Sequence, residues 1–154
     1  MTSTTDTPVT KATTATAPYL KPLPVLTDEN RPFWDACRAG TLSLQRCGQC
    51  AHFRYPISHC CPRCLSSNFA WTPVSGRGSV FSYVIFHRAY HPGFKDDVPY
   101  NVALVQLEEG PRMYSNIVGT PNDEVHIGDL VEAVFEPATP DITIPRFRLR
   151  TGAP

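Results

Sequence analysis

Neither a surplus of one charge nor a long apolar run marks this chain. Its 14 lysines and arginines are matched by 14 aspartates and glutamates, so the formal net charge is zero. Proteins that grip polyanions normally carry a basic excess, and no nucleic-acid partner is expected here. No stretch approaches the ~20 apolar residues that span a bilayer, so no membrane role is expected either. No apolar segment of secretory type follows Met1, and the arginines of a transit peptide are missing, so the expected location is cytoplasmic. Residues 1–18, MTSTTDTPVTKATTATAP, contain no aromatic side chain. Such a stretch buries too little apolar area to offset its ordering entropy and reads as a disordered tail.

Proline and cysteine, by contrast, are plentiful. Sixteen prolines spread along 154 residues fit short strands and loops rather than a helical bundle. Six cysteines would mean disulfides in an exported protein. Without an export signal, and with four of them in paired CxxC spacing, metal binding is the better reading.

The length suits one compact domain or two very small ones, and four segments are expected. After the tail, residues 19–40 form an extended Pro-punctuated arm, YLKPLPVL, and a short helix over 31–39. Thr27 or Asp28 can cap the helix, Pro32 is tolerated only in its first turn, and Gly40 can close its far end. Phe33, Trp34 and Cys37 recur at helical spacing, giving a face that can pack on the barrel or dock into a partner. Residues 41–73 form a metal ribbon entered by the alternating strand TLSLQR and left through a short strand at 70–72. Residues 74–154 show period two, with strands expected at 79–88, 101–108, 112–118, 130–136 and 146–150 and a hairpin turn at Glu109-Gly110-Pro111. Five strands with no room for a crossover helix indicate a mainly β protein whose second part is a small antiparallel OB-fold barrel.

The metal site is the strongest motif. Cys47-Gly48-Gln49-Cys50 and Cys61-Pro62-Arg63-Cys64 are two CxxC knuckles separated by ten residues. Each places two thiolates on one side of a tight loop, and two such loops complete a tetrahedral S₄ site suited to Zn²⁺. A closed S₄ site keeps no open position, so the zinc is expected to be structural rather than catalytic. Iron also accepts four thiolates, but the short separation between knuckles suits a zinc ribbon better. Cys60 is a spare thiol that can compete for the third position, and Cys37 reads as a buried apolar residue. His52 and His59 lie between the knuckles, where four well-spaced cysteines leave no vacancy.

The order of motifs resembles a known family. A helix carrying PFW is followed by RCxxC, CPxC, SGRGSVFSYVIFHR, ALVQLEEGPR, IGDLV and a late PRFR. This is similar to the family long called domain of unknown function 35 (DUF35), a rubredoxin-like zinc ribbon fused to an OB-fold, and the likeness runs from about Asn30 to Arg150. The resemblance implies a small partner of thiolase-superfamily enzymes that make or break carbon–carbon bonds on acyl-CoA-like substrates. The thiolase-like subunit would carry the catalytic cysteine and histidine. This chain would hold it in its active arrangement or help hand over an acyl-CoA intermediate, within a hetero-oligomer.

No catalytic residue is expected in this chain, since no nucleophile, phosphate loop or H-E-x-x-H helix is present. His87, Arg88, His91 and Lys95 lie in or beside the long loop HRAYHPGFKDDVPYN and, with Phe33 and Trp34, are the candidate contacts for a partner or for CoA phosphates. An ordinary solvated loop is the competing reading. Arg146, Arg148 and Arg150 alternate and share one strand face, either toward acidic groups elsewhere or toward solvent. Phe81, Tyr83 and Phe86 are expected mostly in the barrel core. Two further functions fit the same fold: a single-strand nucleic-acid-binding protein, and a free-standing acyl-CoA-binding protein.

Overall fold

The computed structural model describes residues 18–151, so the tail expected over 1–18 lies, apart from Pro18, outside the described residues. The helix α1 spans Arg31–Arg38, with Asn30 at its cap and Pro32 in the first turn. Neither Thr27 nor Asp28 is the cap. Instead Thr27 and Asn30 lock a turn just upstream: Asn30 Oδ1 accepts from the Thr27 N–H at 2.9 Å, and Thr27 Oγ1 accepts from the Asn30 N–H at 3.3 Å. At the far end Gly40 adopts φ +75°. Its N–H reaches the Cys37 carbonyl at 3.0 Å, and the Thr41 N–H reaches that of Ala36 at 2.9 Å. This glycine-terminated double closure stops the helix after two turns. Phe33 and Cys37, one turn apart, are the residues α1 buries.

Two antiparallel sheets follow. The ribbon sheet has β1 (Ser43–Cys47) in the middle, flanked by β2 (Phe53–Arg54) and β3 (Phe69–Pro73). The second sheet contains β4 (Arg77–Phe86), β5 (Tyr100–Leu107), β6 (Arg112–Ser115), β7 (Leu130–Pro137) and β8 (Thr143–Leu149), in the order β6-β5-β4-β7-β8. It curls until its outer strands meet. Ile117 bridges Phe147 in parallel, the Phe147 N–H donates to the Asn116 carbonyl at 3.0 Å, and Ser115 Oγ donates to the Pro145 carbonyl at 2.8 Å. The protein is therefore mainly β, with one short N-terminal helix, a four-cysteine cluster and a five-stranded OB-type barrel.

Several boundaries differ from the sequence reading for physical reasons. Gly78 precedes the strand expected at 79–88 yet lies inside β4, where the sheet requires a glycine because a side chain would put its Cβ 2.4 Å from the Gln106 carbonyl oxygen. The strand expected at 112–118 ends at Ser115, and residues 116–118 turn to close the barrel against β8 instead. Strand β8 starts three residues before 146 and accommodates Pro145, which pairs with Phe135. Phe81 is not a core residue. Between β4 and β5 the register steps from Val80 opposite Val105 to Ser82 opposite Leu104, which makes Phe81 the extra residue of a bulge. Its ring faces outward under the Arg112 guanidinium, 3.4 Å from the ring centroid.

One apolar core joins the parts. Val80, Val105, Val131 and Phe147 fill the barrel, while Leu42 just before the ribbon, Leu44 of β1, and Phe33 and Cys37 of α1 pack into the same cluster. The helix thus sits on the barrel as part of its core.

Candidate metal centre

The two knuckles are built alike. Each ends in a non-glycine residue of positive φ, Ala51 at +57° and Leu65 at +61°. The Ala51 N–H reaches the Cys47 carbonyl at 3.0 Å, and the Leu65 N–H reaches that of Cys61 at 2.9 Å. These turns aim four sulfurs at one point: the Sγ atoms of Cys47, Cys50, Cys61 and Cys64 all lie within 4.8 Å of one another. Across the knuckles, Cys47–Cys64 and Cys50–Cys61 are each 3.6 Å apart. Sulfurs bound at ~2.3 Å to a tetrahedral zinc stand ~3.8 Å from each other, so the donor set fits that ion. Cys60 is exposed and outside the cluster. His59 faces Glu29 at 3.5 Å, and His52 contributes its carbonyl to the Cys47 N–H rather than its ring to the sulfurs.

The backbone prepares thiolates. The N–H groups of Cys50 and Gln49 lower the Cys47 pKa to about 6. Burial opposes ionisation of Cys61, yet the N–H groups of Arg63 and Cys64 pull its pKa below the ordinary value. The Ser66 N–H favours a thiolate at Cys64, but burial and the three neighbouring sulfurs push that group up to about 12. Four sulfurs this close cannot all ionise unaided, and a divalent cation is what lets them do so.

A buried polar clamp supports the second knuckle. Gln45 and Arg54 are opposite each other on β1 and β2 and are only 3% and 2% exposed. Gln45 Oε1 accepts from the Ser58 N–H at 3.0 Å, and Arg54 Nη1 donates to the Ser58 carbonyl at 2.9 Å. The Arg54 guanidinium lies over the Phe69 ring at 4.7 Å, a contact that offsets part of its burial. Both side chains thus hold the loop that delivers Cys61.

His87, Arg88, His91 and Lys95 are all exposed, and none hydrogen-bonds or pairs with another of the four among the described residues. Arg88 lies over the Tyr90 ring at 5.9 Å, and His91 Nδ1 accepts from the Gly93 N–H at 3.0 Å to cap a 3₁₀ turn at Pro92–Phe94. Arg146 and Arg148 pair with carboxylates of this chain, Glu136 at 3.4 Å and Glu132 at 2.7 Å. Phe33, expected as a contact, is 4% exposed and belongs to the core. Its ring meets Trp34 edge-on at 5.0 Å, and Trp34 stays half-buried at the surface.

Comparison with known proteins fits this geometry. Residues 34–70 match the model of the ChsH2 rubredoxin-like zinc ribbon domain, and residues 71–136 match the ChsH2 C-terminal OB-fold domain. A solved structure described as the Ltp2-ChsH2(DUF35) aldolase contains a chain that superposes with a TM-score of 0.74 at 37% identity, over 82% of this chain and 98% of that one. A DUF35 domain-containing scaffold protein of Methanothermobacter thermautotrophicus is 39% identical, covering 61% of this chain and 71% of the relative. The chain belongs to the DUF35 family. Among other family relatives, a probable enoyl-CoA hydratase alpha subunit of Thermomonospora curvata is 38% identical over 84% of this chain. The match takes in only 40% of that longer protein. A benzoylsuccinyl-CoA thiolase subunit, BbsA, of Thauera aromatica is 30% identical over 58% of this chain and 64% of its own length.

Sequence reasoning about this DUF35 protein missed an asparagine cluster at the barrel's seam. Asn101 is 4% exposed; its Nδ2 donates to the Ile117 carbonyl and to Asn122 Oδ1, both at 2.8 Å, and its Oδ1 accepts from the Ile117 N–H at 2.7 Å. Asn116 bonds the Asn101 carbonyl and Arg146. With Lys21 and Asp97, which pair at 2.6 Å, these residues wall a cavity of about 240 Å³ under the N-terminal arm. The signal was present in YNVALVQL, where Asn101 takes an inward position of an otherwise apolar alternation. Arg54 left no comparable trace, because its partners lie in a loop and on another strand.

Proposed function

We propose that this protein is a non-catalytic accessory subunit that binds and supports a thiolase-superfamily enzyme acting on acyl-CoA or related acyl substrates. The observation that carries the reading is the 98% coverage, at 37% identity, of a chain from the Ltp2-ChsH2(DUF35) aldolase. Relatives described as a thiolase subunit and a hydratase alpha subunit support the same class of partner. Cys47, Cys50, Cys61 and Cys64 hold one Zn²⁺, which fills the tetrahedron with protein sulfur and thus serves structure rather than Lewis-acid chemistry. The ribbon, fixed through Leu44 and α1 to the barrel core, presents a rigid two-sheet body to the enzyme. The working unit is a hetero-oligomer in the cytoplasm, and acyl-CoA binds to the assembly.

Co-expression with a thiolase-superfamily subunit from the same organism tests this. The two proteins should purify as a stable complex, and the partner's turnover of CoA esters should rise on addition of this chain. The chain alone should be inert toward any CoA ester and give no heat with acyl-CoA in calorimetry. Robust turnover by the chain alone would overturn the proposal.

A further inference from the structure

The outward face of β4–β5–β6 is unusual for a barrel wall. In β5 the inward residues Ala103, Val105 and Leu107 are at most 2% exposed, so Val102 and Leu104 point the other way. A sheet face turned to water places polar residues at such positions; here both are aliphatic, with Ser82, Gln106 and Arg112 around them. Val84 pairs with Val102, and Leu104 lies between Ser82 and Tyr114. Val84 is 53% exposed, Tyr114 72% and Phe81 44%. The aliphatic centre is therefore bordered by two aromatic rings on neighbouring strands.

Its charge is one-sided. The chain as a whole balances 14 cations against 14 anions, yet the outward positions of these three strands carry two cations, Arg77 and Arg112, and no carboxylate. Arg112 is held flat: its guanidinium stacks 3.4 Å from the Phe81 ring centroid, and its Nε donates to Gln106 Oε1 at 2.7 Å. Aromatic and arginine side chains around an aliphatic centre are the composition of an interface core, in which carboxylates are depleted. The face also runs on past β6, since Val102 and Tyr114 wall a groove of about 270 Å³ together with Trp34 and Pro145.

We infer that this face, from Phe81 and Val84 across Leu104 to Tyr114, is where the partner enzyme subunit docks, through an apolar patch bordered by acidic side chains. The inference rests on the function proposed above and adds the surface and the chemistry of its counterpart. Single-stranded nucleic acid fits less well, because two arginines beside an aliphatic centre neutralise too few phosphates. A second copy of this chain would bring the same uncompensated cations to both sides.

The test uses the full chain and a co-expressed thiolase-superfamily subunit. Val84→Lys and Tyr114→Lys alter exposed side chains, so metal content and melting temperature should stay at wild-type values. Each should weaken the complex at least tenfold, and the pair at least a hundredfold. Val25→Lys, on the N-terminal arm and 80% exposed, should bind as wild type does. Arg112→Glu should weaken binding in low salt more than in high salt. Wild-type binding with undiminished binding by the Val84/Tyr114 double variant overturns the surface and leaves the functional reading standing. Failure of the wild type to bind overturns the reading and, with it, this assignment. Wild-type dimerisation or capture of a dT₂₀ oligonucleotide, lost in the double variant, would also overturn it.

Discussion

Residues 43–73 and 77–149 are both small antiparallel sheets, but their interiors differ in kind. Among the described residues of the ribbon, the buried side chains other than Leu44 are polar or cysteine: Ser43, Gln45, Cys47, Arg54 and Cys61. The barrel buries Val80, Ala103, Val105, Leu107, Met113, Val131 and Phe147. Apolar burial scales with area and needs no cofactor. A ribbon whose apolar share of the core is small, Leu44 with the half-buried Phe53, Tyr55, Ile57 and Trp71, leans for its folding free energy on coordination, where a structural zinc supplies ~10–16 kcal/mol in small peptides. The two halves therefore answer to different perturbations.

The largest effect expected is that of Cys61→Ser. It should abolish bound metal and unfold residues 43–73 while the barrel keeps its strands, as read by metal analysis and limited proteolysis. Phe147→Ala inverts the comparison: it should cost about 3–5 kcal/mol of global stability by denaturant titration, with one metal still bound to the folded fraction. Alkaline pH acts through the helix. Burial raises the Cys37 pKa from 9.0 to about 12. The folded state thus holds its proton more tightly than the unfolded chain, and the stability this adds is complete below pH 9. It should be lost as pH rises through about 12, and Cys37→Ala should flatten that slope in thermal melts. The smallest effect is a gain. Leu65 is 78% exposed at a left-handed φ, so Leu65→Gly gives up little packing and should stabilise the ribbon by about 1 kcal/mol. Hydrogen exchange in the second knuckle would show it.

What could be read from the chain follows the same division. The knuckles were legible because tetrahedral coordination imposes a local spacing, and four cysteines at that spacing have few other uses. Strands β5 and β7 were legible through alternation against one core, and Gly40 through the left-handed turn it permits. The clamp on Ser58 was not legible, since an arginine at the edge of a two-residue strand looks solvated until Phe69 and the Ser58 carbonyl are brought to it. Nor was the bulge at Phe81: one inserted residue reverses the outward and inward sets, which moved an expected core aromatic to the surface. Phe33 and Trp34 show the limit of helical spacing. It placed both on one face but could not show that the barrel takes the first and leaves the second half-exposed.

Chelation with hydrogen exchange followed by mass spectrometry tests the division most directly. With metal bound, both sheets should be protected. After removal of the metal, protection should vanish across residues 43–73 and persist in β4, β5 and β7, and zinc should restore it. Protection of the ribbon that survives metal removal, or a barrel that unfolds together with it, would contradict the account.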